Sequence, residues 1–195
     1  MSKKCLIHVC CAPCSVYPLK ILQKKFDFIV CYFYGNNIHP FTEYIKRRDA
    51  TIKYTDYTGL RLIINKKYDL EGFIQKVVFR ENIRCAICYY ERLKSAAKIA
   101  KKGKFDCFTT SLLYSKFQKH EVVKSIGEAV EKETGAPFYY EDFRCGWREG
   151  IEKSKKLNLY RQEYCGCIYS EKERYYKKND NSNKSYQIFR GQKSG

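Results

Sequence analysis

The sequence predicts an α/β fold: a mostly parallel sheet with flanking helices and a helical C-terminal part. Two kinds of segment and their order carry that prediction. Short apolar, β-branched runs read as buried strands, longer stretches repeat their apolar residues at the helix period, and the two alternate along the chain. Strand–helix alternation favours a parallel sheet covered by helices, with the functional crevice at the carboxyl ends of the strands.

Residues 4–10, KCLIHVC, form the first such run, followed by a turn at Pro13 and a helical pattern from about Ser15. DFIVCYFY at 27–34 is the second strand, and after the loop GNNIHPF a helix is expected with Thr42 as its N-cap and Glu43 in its first turn. LRLIIN at 60–65 is the third strand, and Asp69 to about Val78 has helical spacing. From Ala86 the residues Tyr89, Leu93, Ala96, Ala97 and Ala100 recur at the helix period until Gly103 stops the helix. FDCFTT at 105–110 is the fourth strand, and Lys116 to Lys132 a helix ending near Gly135. CCAPC at 10–14 and FTTSLLYS, from 108, both fall at carboxyl ends of strands. After Pro137 the chain is polar and aromatic, predicting helices and loops packed against the sheet. Residues 1–177 are expected to form one catalytic domain. From about Lys178 the chain is too poor in apolar residues to offset the entropy of ordering, and a disordered tail is expected.

No internal repeat, P-loop or dinucleotide glycine fingerprint is present, so ATP and NAD lose support. Two lysines precede a short apolar run at the N-terminus, but that run leads into Cys and Pro at about half a spanning length; neither signal peptide nor membrane span is expected. A cytoplasmic, reducing environment follows from that reading. There the 11 cysteines serve better as metal ligands or catalytic dithiols than as static bridges, because a hydrophobic fraction of 44% supplies a core without them. The 38 Lys and Arg against 21 Asp and Glu leave a formal charge of +17, which fits a polyanionic partner, nucleic acid first.

CCAPC places Cys10, Cys11 and Cys14 in the turn after the first strand, where backbone amides and a helix N-terminus favour thiolates. RCAIC places Cys85 and Cys88 at a helix start with the C-x-x-C spacing that lets two thiolates converge on one metal. Four such ligands suit either structural zinc or a 4Fe-4S cluster, and spacing leaves both open. Cys165-Gly166-Cys167 is tight for two ligands of one ion and permits a strained, easily reduced disulfide, or two ligands for a second metal. Cys5, Cys31 and Cys107 sit in strand patterns and read as core, Cys145 takes no role, and His8 reads as a core histidine. His39 and His120 are minor crevice candidates, while Asp142 and Arg144 form either a substrate anchor or a surface ion pair. A zinc-stabilised RNA-binding module and a thiol–disulfide oxidoreductase are the competing readings. The first leaves the CGC pair unexplained, and the second needs a thioredoxin-like strand order that the pattern lacks.

Taken together, IHVCCAPCSVYPLK, YGNNIHPFTEYIKR, RCAICYYERL, FTTSLLYSKFQKHE and LYRQEYCGCIYS resemble the cobalamin-independent epoxyqueuosine reductase family, QueH, across about residues 5–176. The resemblance implies a Rossmann-like fold and a cytoplasmic enzyme. That enzyme removes the epoxide oxygen of epoxyqueuosine in the anticodon loop of tRNA, the last step of queuosine biosynthesis. It implies cluster ligands at Cys10, Cys11, Cys85 and Cys88, and a redox-active pair at Cys165 and Cys167. It also implies an additional iron beside the cluster, to which Cys14 or the CGC pair would contribute. An electron donor, not identified by the sequence, is implied as well. Cys145 departs from the small residue expected in the DFR-x-G stretch.

Overall fold

The computed structural model describes residues 2–176; the tail expected from Lys178 lies outside the described residues. Four strands, β1 (Lys4–Val9), β2 (Phe28–Phe33), β3 (Arg61–Ile64) and β4 (Cys107–Thr110), form one sheet in the order β3-β2-β1-β4. Every pairing is parallel, with Leu6 opposite Val30 on one side and Phe108 on the other. β1 and β2 are buried along nearly their whole length. Strands covered on both faces read as continuous apolar runs, which is why KCLIHVC and DFIVCYFY were recognisable without alternation. The chain adds β2 and β3 on one side of β1, then returns to add β4 on the other. The two connections that leave β1 and β4 therefore diverge at a topological switch point.

Between the strands run α1 (Ala12–Leu22), α2 (Phe41–Thr58), α3 (Leu70–Val77) and α4 (Arg84–Lys102); α5 (His120–Thr134), α6 (Trp147–Lys156) and α7 (Ile168–Tyr175) follow β4. α4 packs on α5 and against β1 and β4, while α1 packs on α6. On α4 the residues Tyr89, Leu93, Ala96, Ala97 and Ala100 are the buried stripe that the helix period predicts. Gly135 closes α5 at φ 72°, a left-handed C-cap that glycine adopts without a Cβ penalty. After Pro137 the chain touches the sheet by one parallel bridge, Phe108 to Phe138, before the helical C-terminal part. No helix among the described residues is long and apolar enough to cross a membrane.

Three boundaries differ from expectation. α1 starts at Ala12 instead of Ser15, because Pro13 falls in the first turn, where a missing N–H costs nothing. The N-cap of α2 is the extended Pro40 instead of Thr42, which lies inside the helix. α5 starts at His120 instead of Lys116. The chain from Ser111 first makes a 3-10 turn and then a second turn in which the Ser115 hydroxyl accepts from the Phe117 N–H.

Candidate functional site

β1 ends at Val9 and α1 begins at Ala12, so Cys10 and Cys11 are the connection and Cys14 lies in the first helical turn. The fully extended Cys11 turns neighbouring side chains apart, and the helix brings Cys14 back round toward them. The three sulfurs lie within 4.8 Å of one another and are buried, a group able to hold a metal ion. The switch point supplies a brace from the other strand: the Cys10 N–H donates to Ser111 Oγ at 3.4 Å, and the Cys10 sulfur sits 3.8 Å from the same oxygen. Hydrogen bonds from Cys11 and Cys14 hold the Cys10 thiol well below its ordinary pKa, with further help from the charge of Arg92. Burial pushes Cys11 up, and sharing a proton with Cys10 pushes Cys14 up. Within the triad, Cys10 is thus the thiol most disposed to lose its proton.

α4 brings the second pair. Cys88 lines the same cavity as Cys10 and Cys14, a space of about 490 Å³, and accepts a 2.7 Å hydrogen bond from Asn37 Nδ2. Burial raises its pKa to about 12, against the opposing charge of Arg92. Cys85, one turn earlier, is half-buried and does not line the cavity; burial raises its pKa too. The structure therefore groups Cys10 and Cys11 most tightly with Cys14, and presents Cys88 to the cavity they share.

The C-terminal segment closes the site. Gln162 Nε2 lies 3.0 Å from the Cys11 sulfur and 3.3 Å from that of Cys14, and Gln118 Nε2 donates to the Cys165 sulfur at 3.3 Å. Cys165 is exposed on the cavity wall, whereas Cys167 is half-buried outside the lining and its sulfur lies 3.7 Å from Ser170 Oγ. All eleven cysteines are free thiols. The CGC loop is held from α2: the fully buried Arg47 donates to the carbonyls of Cys165 and Tyr164 at 2.7 and 3.0 Å, and pairs with Glu43 at 2.7 Å. The Gly166 carbonyl accepts from the His39 N–H at 2.7 Å. Tyr164 and Tyr160 add hydrogen bonds to the His39 carbonyl and to Glu43.

This arrangement sits in a chain that matches the family described as Epoxyqueuosine reductase QueH over residues 5–173. It belongs to the QueH family. Epoxyqueuosine reductase QueH of Dehalococcoides mccartyi is 38% identical, over 92% of this chain and 98% of the relative. The protein of the same name from Thermotoga maritima is 34% identical, over 87% and 91%. Among solved structures, the U34-tRNA thiolase NcsA of Methanococcus maripaludis, with its [4Fe-4S] cluster, superposes at a TM-score of 0.58. At 15% identity, covering 86% of this chain and 60% of that one, the likeness is one of fold. QueH membership favours the reductase reading over a zinc-stabilised RNA-binding module.

The remaining candidates fall outside the cavity. His39 is buried between Tyr68 and Phe73, His120 bonds Tyr140, and His8 bonds Thr110 across β1 and β4. Asp142 and Arg144 pair with each other at 2.6 Å, and Cys145 is exposed beside Tyr17. Cys5, Cys31 and Cys107 are core. Sequence reasoning did not single out Arg47, Asn37, Gln118, Gln162 or Arg92. Only Arg92 carries a local signal, standing one helical turn beyond Cys88 in RCAICYYERL.

Proposed function

We propose that the chain reduces epoxyqueuosine in tRNA to queuosine, with residues 1–177 as one catalytic domain working in the cytoplasm. The observation that carries the reading is the convergence of Cys10, Cys14, Cys88 and Cys165 on one cavity at the switch point of a QueH-family fold. The reaction breaks both C–O bonds of the epoxide, consumes two electrons and two protons, and yields the cyclopentene ring and water.

Cys10, Cys11, Cys85 and Cys88 are the proposed ligands of a 4Fe-4S cluster. The chemistry of the donor set supports this: two thiols in the β1–α1 connection and two on α4, with Asn37 directing an amide N–H at Cys88 and Gln162 one at Cys11, the outer hydrogen bonding that sulfur clusters use. A cluster with an adjacent iron supplies single electrons and an electrophile for the departing oxygen. Cys14 is the proposed contributor to that iron. Cys165 and Cys167 act as the dithiol: two thiols become a disulfide and release two electrons and two protons, which balances the epoxide reduction. An external electron donor then restores the pair. Arg47 and the His39 N–H fix the loop so that Cys165 faces the cavity. The mouth, where Phe117 and Trp147 meet edge to face at 5.6 Å beside Arg161 and Arg174, suits an extruded anticodon-loop base and its phosphates.

Iron, sulfide and zinc content of anaerobically purified protein, followed by turnover of epoxyqueuosine-containing tRNA, tests the reading. About four iron and four sulfide per chain are expected, more iron marking the second site. Cys10→Ser and Cys85→Ser are expected to lose cluster and turnover together. Stoichiometric zinc without sulfide, or turnover retained in a cluster-depleted variant, overturns it.

A further inference from the structure

Arg92 is a buried cation that the described fold leaves without a carboxylate partner. Its side chain is 3% exposed and lines the cavity with Cys10, Cys14, Cys88 and Cys165. Nε and Nη1 meet no hydrogen-bond partner, and no carboxylate pairs with the guanidinium, among the described residues. Arg47 shows how the same fold satisfies a buried guanidinium when the partner is internal, with one carboxylate and two carbonyls. An uncompensated charge in a protein interior is strongly unfavourable, so the missing partner of Arg92 is expected to arrive with whatever fills the cavity.

The chemistry of that partner follows from the surroundings. An arginine keeps its charge at any pH a protein tolerates, and the cavity that Arg92 lines is also lined by Cys10, Cys14, Cys88 and Cys165. A buried cation sharing a cavity with four cysteines suits a dispersed anion made of thiolates and sulfides, to which a guanidinium offers several N–H donors at once. We propose that Arg92 is the counter-charge of the iron–sulfur centre in this cavity, stabilising its more negative, reduced form and so raising its reduction potential. This rests on the cluster assignment above. It adds a positioning and tuning residue on the same helix face as Cys85 and Cys88.

The test compares anaerobically reconstituted full-length protein with Arg92→Gln and Arg92→Lys, measuring iron and sulfide content and the midpoint potential by EPR-monitored titration. Arg92→Gln is expected to shift the one-electron equilibrium at least tenfold against reduction, which is about 59 mV more negative. Arg92→Lys, which keeps the charge, is expected to recover part of that shift. Wild-type protein labelled with 15N-arginine is expected to show a nitrogen coupling to the reduced cluster, a readout that needs no variant to fold. An unchanged potential in cluster-loaded Arg92→Gln, or no 15N coupling, overturns the proposal and leaves the reductase reading standing. An unchanged potential with a raised KM for tRNA also overturns it, assigning Arg92 to a phosphate. Wild-type protein that takes up no iron and sulfide removes both this proposal and the reading beneath it.

Discussion

Gly166 sits at φ 149°, where a side chain is strained whatever space surrounds it, and a Cβ there would stand 3.1 Å from Arg47 Nη1. Gly166→Ala is therefore expected to lower stability by about 1–3 kcal/mol and to loosen the hold of Arg47 on the CGC loop. Urea unfolding of the metal-free protein measures the first effect, and alkylation rates of Cys165 the second; wild-type values for both would remove the glycine requirement. His39 offers a test by pH. Burial, with the charge of Arg92 adding to it, lowers its pKa from 6.5 to about 4. Between those values the unfolded chain binds a proton that the folded chain refuses, so this contribution is fully present above about pH 6.5 and is lost as pH falls toward 4. It amounts to ~3 kcal/mol at most. The urea midpoint is expected to fall across that window in the wild type, and less steeply in His39→Phe, which keeps the backbone hydrogen bond to Gly166. Parallel slopes would show that His39 is not the group responsible.

At the level of elements, one buried pair on α2 fixes a loop more than 100 residues away in sequence, since Arg47 and Cys165 are separated by 118 positions. Arg47→Met leaves Glu43 buried without its cation and is expected to cost about 3–5 kcal/mol. Adding Glu43→Leu removes the stranded charge and is expected to return most of that stability. It does not return the two hydrogen bonds to the carbonyls of Tyr164 and Cys165, so turnover should stay low in the stable double variant. Wild-type turnover there would mean that the hold of α2 on the CGC loop does not matter to the reaction. These two elements also mark what the sequence makes readable. CCAPC and RCAIC are legible because a strand end or a helix start fixes where residues a few positions apart will point. Arg47 with Cys165, and Gln162 with Cys11 across 151 positions, are contacts made by tertiary folding, and no local period announces them. Boundaries failed for a related reason: a proline early in α1, and turns ahead of α5, set the helix starts in place of the polar residues that usually mark them.

For the whole molecule, strand alternation implied a parallel sheet, but only the order β3-β2-β1-β4 puts the connections after β1 and β4 side by side, joining Cys10 to Ser111. The charge has a similar division. The composition gives +17, and the structure engages many of the acids in ion pairs, among them Glu43, Glu91, Glu133, Glu141 and Glu149, so the unbalanced charge is basic. At the cavity mouth, Phe117 is 84% exposed, and Arg161 and Arg174 share the wall with it. If the surface neutralises about five phosphates of a tRNA anticodon arm, the slope of log affinity against log salt is roughly −3.5, a loss of about a hundredfold between 50 and 200 mM. Phe117→Ala is expected to weaken binding by about 1–3 kcal/mol without changing that slope, because base stacking carries no counterion release. Fluorescence anisotropy with a labelled anticodon stem-loop, titrated at several salt concentrations, separates the two contributions. A wild-type slope near zero would exclude the basic surface as the binding face, and a Phe117→Ala slope that becomes shallower would mean the substitution moved the phosphates and not a base.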